Sequence, residues 1–292
     1  MPPEFSSVSP RSTREPISNF VTVNGVRLHC LDWGGDGAPI IVLHATGLLG
    51  RIYRPIADAL TAVGHVYSYD QRGHGDSDRS PDGVYTWDRT ADDLEAFILT
   101  MGFREVRAFG HSAGATAIGT VLSRRPDLIT RAFLAEPVLI DPASPPTRNT
   151  MLYEATLKRR ANFDSLPAML ANYAGKPPFN TWRSGILNEY CIHGSRDGAD
   201  GRRYLKCIPA DEALVYQSAP NFDGLGYILR SRNPLHILFG VRTDTQGITL
   251  ADRITANAPQ RRFTVVPNAG HFLPMEEPDY VADEAVGFLK AT

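Results

Sequence analysis

The pentapeptide Gly110-His111-Ser112-Ala113-Gly114 is the stretch that decides the fold. It follows the apolar run 106–109 and precedes the small-residue run 115–122, so the order of elements is strand, sharp turn, helix. In that setting a Gly-x-Ser-x-Gly turn lifts a serine hydroxyl above the edge of a sheet. The helix start that follows offers free N–H groups to an oxyanion. The pattern predicts Ser112 as a nucleophile and the N–H of Ala113 as one donor of an oxyanion hole.

The base that would activate Ser112 is sought further along the chain. His271, in Asn268-Ala269-Gly270-His271-Phe272, follows the last predicted strand, 262–266. Acyl transfer by serine needs such a histidine together with an acid that orients it, and the chain order serine, acid, histidine is typical of this architecture. We therefore predict His271 as the general base.

Two carboxylates compete for the role of the orienting acid. Glu136 directly follows the predicted strand 131–135, and Asp244 lies in the loop after the predicted strand 234–240. The acid must be buried and rigid, because it fixes the tautomer of the imidazole. A position at a strand end, followed by Pro137, is more rigid than the loop 242–247. We prefer Glu136, and Asp244 is the alternative.

The second oxyanion donor is expected in the loop that follows the apolar strand 39–44. This loop reads His44-Ala45-Thr46-Gly47. In the strand–turn–helix architecture the loop after the third strand supplies a backbone N–H to the oxyanion. We assign that role to Thr46.

Composition and charge narrow the class of protein. The chain has 292 residues, 42% of them hydrophobic and 21% charged, and a net charge of −2. This balance is typical of a globular protein and gives no reason to expect nucleic acid or an anionic membrane as a partner. Apolar runs stay short of the roughly 18 residues that a membrane span needs. The first 16 residues, rich in Pro and Ser, predict a disordered tail rather than a signal peptide.

The three cysteines indicate the redox compartment of the protein but do not indicate a disulfide framework or a metal site. Cys30, Cys191 and Cys207 are scattered, and none has metal-ligand spacing with a histidine or another cysteine. We expect reduced thiols, no metal, and a cytoplasmic location.

The order of predicted elements divides the chain into two parts. Strand and helix signals alternate up to Asp141, stop, and return at residue 233. Alternation of this kind predicts a parallel sheet with helices on both faces. We predict an α/β core made of residues 17–141 and 233–292, and a helical cap over 142–232 inserted after the sixth strand.

Two further motifs give the chain a family resemblance. Asp70-Gln71-Arg72-Gly73-His74-Gly75-Asp76-Ser77 resembles the Asp-x-Arg-Gly-x-Gly-x-Ser loop of the α/β-hydrolase family, and Gly270-His271-Phe272 with Glu277-Pro278 resembles its ending. With the serine turn, the resemblance covers nearly all of residues 18–290 outside the cap. It implies the α/β-hydrolase fold, with a mostly parallel eight-stranded sheet.

The chain departs from the family pattern at two places. The family usually has its acid three residues past Gly240, where this chain has Thr243, whereas some members place it at the position of Glu136. Ala45 stands where the family usually has a glycine, which bears on the second oxyanion donor.

The combined prediction is a serine hydrolase that cleaves a small carboxylic ester or lactone without a cofactor. The alternatives are a carbon–carbon bond hydrolase of diketone-type acids, which uses the same residues, and a ligand receptor with a slow or vestigial triad. A homodimer is left open.

Substrate contacts are expected from the cap and from residues near the reactive serine. We name Arg51, just past the oxyanion loop, as the arginine nearest to a substrate. His111 faces either the pocket or the adjoining strand. Among the aromatic residues of the cap, Tyr173 and Trp182 are candidates, since ligand pockets are mostly apolar.

Overall fold

The computed structural model of the protein describes residues 14–139 and 147–290, without the side chains of residues 147–149. Most of the predicted tail, residues 1–13, and the first residues of the predicted cap, 142–146, lie outside the described residues.

The first half of the chain alternates strands and helices, as predicted. Its elements are β1 (Ile17–Val23), β2 (Val26–Gly34), β3 (Pro39–Leu43), α1 (Arg54–Leu60), β4 (His65–Tyr69), α2 (Trp87–Thr100), β5 (Val106–His111), α3 (Ala113–Arg124) and β6 (Ile129–Ala135). The hairpin β1–β2 turns at Asn24 and Gly25, whose φ angles of 48° and 75° are those that an Asn-Gly turn supplies.

The segment between β6 and the next strand of the main sheet, residues 147–230, is called the insertion below. It comprises α4 (Thr147–Leu157), β7 (Asn162–Phe163), α5 (Leu166–Ala174), α6 (Ser184–His193), β8 (Ser195–Asp197), β9 (Arg203–Leu205), α7 (Pro209–Ser218) and α8 (Gly224–Arg230). The sequence predicted helices alone here. The small sheet β7-β9-β8 was missed because strands of two or three residues show no period.

The chain then returns to the main sheet. The last elements are β10 (Leu235–Gly240), α9 (Ala251–Thr255), β11 (Arg261–Val266), α10 (Leu273–Glu276) and α11 (Pro278–Leu289). Short 3-10 turns lie at Gly50–Tyr53, Phe179–Thr181, Ala219–Asn221 and Gly247–Leu250.

The main sheet has eight strands in the order β1-β2-β4-β3-β5-β6-β10-β11. Strand β2 is antiparallel to its neighbours β1 and β4, and the remaining pairs are parallel. The fold class predicted from the sequence is confirmed. Parallel strands end at the same edge of a sheet, so the loops that follow β3, β5, β6, β10 and β11 meet there.

Buried apolar side chains cover both faces of this sheet. One cluster joins β3 to α1 and α11, and another joins β5 to α2 and α3. Burial on both faces explains why β3, β5 and β10 read as continuous apolar runs rather than alternating ones. Over the described part of the chain, no helix is both long enough and apolar enough to cross a bilayer.

Candidate active site

Ser112 lies at the turn between β5 and α3 and has a positive φ, which is uncommon for a residue other than glycine. Its φ and ψ are 53° and −120°. A β-carbon on Gly110 would lie 2.6 Å from Cα of Ala115, and one on Gly114 would lie 2.5 Å from the carbonyl oxygen of Leu43. Both contacts are with backbone, which cannot move aside. The glycines therefore let α3 approach β3 and β5 closely while the serine side chain points out of the turn.

His271 connects Ser112 to Glu136 through hydrogen bonds. Its Nε2 lies 3.0 Å from Oγ of Ser112, and its Nδ1 lies 3.1 Å from Oε2 of Glu136. With Nδ1 protonated toward the carboxylate, Nε2 is the acceptor for the serine hydroxyl. The structure thus brings together three side chains from the loops after β5, β6 and β11.

Glu136 is fully buried at the end of β6 and is held by several donors. Oε1 accepts a hydrogen bond of 2.6 Å from the N–H of Gly240, and Oε2 accepts one of 2.5 Å from Oγ1 of Thr243. Its own N–H donates to the carbonyl of Leu238, so backbone and side chain are both tied to β10. These donors hold the carboxylate in place beneath the imidazole.

Thr243 is a residue whose contribution sequence analysis missed. It stands where the family usually has its acid, and here its hydroxyl donates to the acid that comes from β6 instead. The sequence signal for this contribution is that the chain has a threonine at 243, where the family usually has an acid.

Asp244 occupies a different place from Glu136. It is exposed and lines the cavity beside Ser112, whereas the two ring nitrogens of His271 are engaged by Ser112 and Glu136. The structure therefore joins Glu136 to the histidine by a direct hydrogen bond.

The loop after β3 is fixed on both sides of Thr46. The N–H of Ala45 donates to the hydroxyl of Tyr53 (3.1 Å), and the N–H of Gly47 donates to Nε2 of His74 (3.0 Å). Thr46 itself lines the cavity together with Ser112. The other predicted donor, Ala113, is the first residue of α3 and lies directly after Ser112.

The buried His44 supports this loop as a neutral imidazole. Its Nε2 accepts from the N–H of Gln71 (2.8 Å), and its Nδ1 donates to the carbonyl of Ala45 (2.7 Å). Burial lowers the pKa of His44 to about 3. An uncharged ring with one donor and one acceptor matches both contacts.

His111 points away from the cavity, which answers the alternative left open by the sequence. It is fully buried, its Nδ1 accepts from the hydroxyl of Tyr53 (2.6 Å), and its Nε2 donates to the carbonyl of His271 (2.8 Å). Burial lowers its pKa to about 3. His111 thus holds the backbone of His271 rather than a substrate.

The cavity beside Ser112 has a volume of about 370 Å³. Its walls are mostly apolar. The lining residues are Ala45, Thr46, Trp87, Ser112, Val138, Leu152, Pro177, Pro178, Tyr216, Asp244, His271 and Phe272.

The other three predicted substrate contacts lie outside this lining, and each has partners that explain why. Arg51 turns to Glu15 and to Glu189 (3.6 Å). The Tyr173 ring packs on Phe179 and its hydroxyl accepts from Arg159. Trp182 is buried against Phe272, one layer behind the cavity wall. Phe272 was missed, although it follows the predicted histidine directly.

A second Ser–His–Asp run of hydrogen bonds connects β1, β2 and the residue that follows β4. Oγ of Ser18 is 2.8 Å from Nε2 of His29, and Nδ1 of His29 is 2.8 Å from Oδ2 of Asp70. Ser18 is exposed and lies within β1, paired with Leu31, and the strand continues to Val23. Neither a sharp turn nor a helix start follows this serine.

His29 and Asp70 also belong to a group that resembles a metal site by composition. The third member of the group is Asp76, and the ligand atoms of the three residues lie within 4.8 Å of one another. The contacts described for these atoms are internal, since His29 bonds Ser18 and Asp70 while Asp76 pairs with Lys206 at 2.7 Å. The group is accounted for by interactions within the protein.

Comparison with known proteins places the chain in a family. A model described as the alpha/beta hydrolase family matches residues 40–284. The chain belongs to this family, as the resemblance predicted, and hydrolase activity is supported by its relatives.

Individual relatives differ in their reactions. Epoxide hydrolase A of Mycobacterium tuberculosis is 33% identical over 138 residues, which are 46% of this chain but only 42% of that protein. The 2-(acetamidomethylene)succinate hydrolase of Mesorhizobium japonicum is 29% identical over 94% of this chain and 96% of its own length. A crystal structure of E-2-(acetamidomethylene)succinate hydrolase superposes with a TM-score of 0.80 at 22% identity, covering 94% of this chain and 100% of that one. At that identity the superposition supports the fold alone.

Proposed function

We propose that the protein is a serine hydrolase that cleaves a carboxylic ester or lactone through an acyl-enzyme. The observation that carries the proposal is the continuous hydrogen bonding from Ser112 through His271 to the buried Glu136, at the wall of a cavity. Such a relay lets a hydroxyl attack a carbonyl while the histidine takes its proton.

Each residue then has a defined role. Ser112 attacks the carbonyl carbon, and His271 accepts its proton and passes it to the leaving group. Glu136 stabilises the imidazolium, and the N–H groups of Thr46 and Ala113 hold the oxyanion. Water, activated by His271, releases the acid and restores Ser112.

The identity of the nucleophile favours a carbonyl substrate over an epoxide. Opening an epoxide with a serine hydroxyl would leave a dialkyl ether, which has no carbonyl for water to attack. An acyl-serine ester does have one and is hydrolysed in the second half of the cycle. Epoxide hydrolases are among the relatives, one of them similar over 91% of this chain at 23% identity, so the case against an epoxide rests on the chemistry of the serine and not on similarity.

An amide is the second bond type worth testing. One relative that covers nearly the whole chain is named for 2-(acetamidomethylene)succinate, which contains an acetamide group. The same residues serve ester and amide hydrolysis, because both proceed through a tetrahedral oxyanion.

The test combines labelling with turnover. Wild type, Ser112→Ala and Ser18→Ala are treated with a fluorophosphonate, the labelled peptide is identified by mass spectrometry, and p-nitrophenyl esters, lactones, an acetamide and a diketone acid are assayed. We expect the label on Ser112 and a loss of kcat of about 10⁴-fold or more in Ser112→Ala, with Ser18→Ala unchanged.

Two results would contradict the proposal. If wild type takes up no label and turns over no ester, lactone or amide, a ligand receptor becomes the better description. If only the diketone acid is consumed, carbon–carbon bond hydrolysis replaces ester hydrolysis.

A further inference from the structure

The insertion contacts the oxyanion loop at Gly47, next to the proposed donor Thr46. Gly47 has a φ of 77°, a conformation that favours glycine. A β-carbon built there would lie 2.5 Å from Oε1 of Glu212, so the carboxylate of Glu212 rests against the α-carbon of Gly47. The hydroxyl of Tyr190 donates to the carbonyl of Gly47 at 3.3 Å.

Glu212 is itself held by a buried network within the insertion. It is only 5% exposed and accepts a hydrogen bond of 2.5 Å from Nη1 of Arg159. Nη2 of the same guanidinium donates to the hydroxyls of Tyr190 and Tyr173. One arginine thus fixes both groups that touch Gly47, the carboxylate and the Tyr190 hydroxyl.

The neighbouring residue provides a natural comparison. Asp211 and Glu212 both lie in the first turn of α7, and both are buried. Asp211 is bound to the core by Arg79 (2.6 Å) and Tyr85 (2.6 Å), away from Gly47. Both carboxylates therefore connect elements of the fold, but the contact described with the oxyanion loop is made by Glu212.

We propose that Glu212 and Tyr190, held by Arg159, are positioning residues that set the oxyanion loop for catalysis. This inference rests on the proposed function. Gly47 follows Thr46 directly, so a shift of its α-carbon or carbonyl moves the peptide that carries the oxyanion donor. A donor displaced by about 1 Å from the oxyanion costs on the order of 100-fold in rate.

The experiment compares Glu212→Gln with Asp211→Asn in the full chain. Kinetics on the best ester of the panel, inhibition by phenylboronic acid and the melting temperature are measured for both. A boronate bound to Ser112 places an oxygen in the oxyanion hole, so its Ki reports that site directly. We expect Glu212→Gln to lower kcat by about tenfold or more and to raise the boronate Ki in parallel, with KM unchanged.

Asp211→Asn serves as the matched control. It also loses the charge of a buried carboxylate, but its partner Arg79 is 66% exposed, so its melting temperature is expected to fall less than that of Glu212→Gln. Its kcat and boronate Ki are expected to stay at the wild-type values. Equal kinetic effects in the two variants, or none in either, would overturn the inference and leave Glu212 a structural residue.

Tyr190→Phe keeps the inference testable if Glu212→Gln does not fold. It removes only the hydroxyl between the guanidinium and the carbonyl of Gly47. It is expected to shift kcat and boronate Ki in the same direction by a smaller factor, and unchanged values would count against the inference. Fluorophosphonate labelling of wild type distinguishes a failure of the proposed function from a failure of the positioning role. An unlabelled Ser112 refutes the proposed function, whereas a labelled Ser112 with unaffected variants refutes only the positioning role.

Discussion

The molecule contains two Ser–His–acid runs of hydrogen bonds with nearly the same distances. Ser112 lies 3.0 Å from His271, and Ser18 lies 2.8 Å from His29. Residue types and hydrogen-bond distances therefore do not distinguish the second run from the first. The two differ in the backbone that carries each serine.

The backbone around Ser112 has a strained turn followed directly by a helix. Ser112 has a φ of 53° and is followed at once by α3. Ser18 sits in a regular strand whose backbone is paired with β2. Positive φ at a residue other than glycine is costly and persists where the surroundings impose it. The comparison teaches that strain, helix start and cavity distinguish Ser112, the proposed nucleophile, from Ser18, and that hydrogen-bond distances alone do not.

The largest effect that tests this comparison is expected at the acid. Glu136→Gln replaces a carboxylate with an amide that donates toward His271, which favours the wrong tautomer of the imidazole. We expect kcat to fall by roughly 10³- to 10⁴-fold, measured as steady-state turnover of the best ester. The fold is expected to persist, because the amide oxygen still accepts from Gly240.

Asp244→Asn is the control for the choice of acid. Asp244 lines the cavity but the ring nitrogens of His271 are engaged elsewhere, so kcat is expected to change little. If Asp244→Asn were the crippling substitution and Glu136→Gln the mild one, the assignment of the acid would be reversed.

The sequence predicted the position of Glu136 beside His271 better than it predicted residues that line the cavity, and the reason is physical. Glu136 follows a strand whose end is fixed by the sheet, so its place was determined by topology. Arg51, Tyr173 and Trp182 are placed by side-chain partners such as Glu189, Phe179 and Phe272. Such partners follow no period, and Glu189 and Phe272 also lie far along the sequence from Arg51 and Trp182.

The insertion shows the same limit on a larger scale. The Arg159–Glu212 pair that joins it to Gly47 was not foreseen, because 53 residues separate the partners.

The second prediction adds an atom to the crowded Ser112 turn. Gly114→Ala would place a β-carbon 2.5 Å from the carbonyl oxygens of both Leu43 and His44. Relief of that clash must shift the start of α3, and Ser112 and Ala113 with it. We expect a loss of kcat of about 100-fold and a lower melting temperature.

Gly287→Ala is the matched control for this substitution. Gly287 lies in α11, is exposed, and has no atom within 4 Å of an added β-carbon among the described residues. Alanine in place of a helical glycine stabilises by about 0.5–1 kcal/mol when space allows. Wild-type kcat together with equal or higher stability is expected. A Gly114→Ala enzyme that behaved in the same way would show that the close approach of α3 to β3 is not required.

The smallest expected effect concerns the imidazole that supports His271 from behind. Burial lowers the pKa of His111 to about 3, against about 6.5 in an unfolded chain. Between these values the unfolded state binds one more proton than the folded state at this residue. The free energy of unfolding therefore falls as the pH is lowered from 6.5 toward 3, by about 1.4 kcal/mol per pH unit from His111 alone.

His111→Gln tests that contribution, because glutamine retains a donor for the carbonyl of His271 and does not titrate. Urea unfolding between pH 6 and pH 4 is expected to give a slope of stability against pH that is one proton smaller than in wild type. An unchanged slope would mean that His111 is protonated in the folded protein at the same pH as in the unfolded chain. Below about pH 6.5 its Nδ1 would then carry a proton and could not accept from Tyr53, so the hydrogen-bonded link from the oxyanion loop through Tyr53 and His111 to His271 would not persist over the acidic range measured.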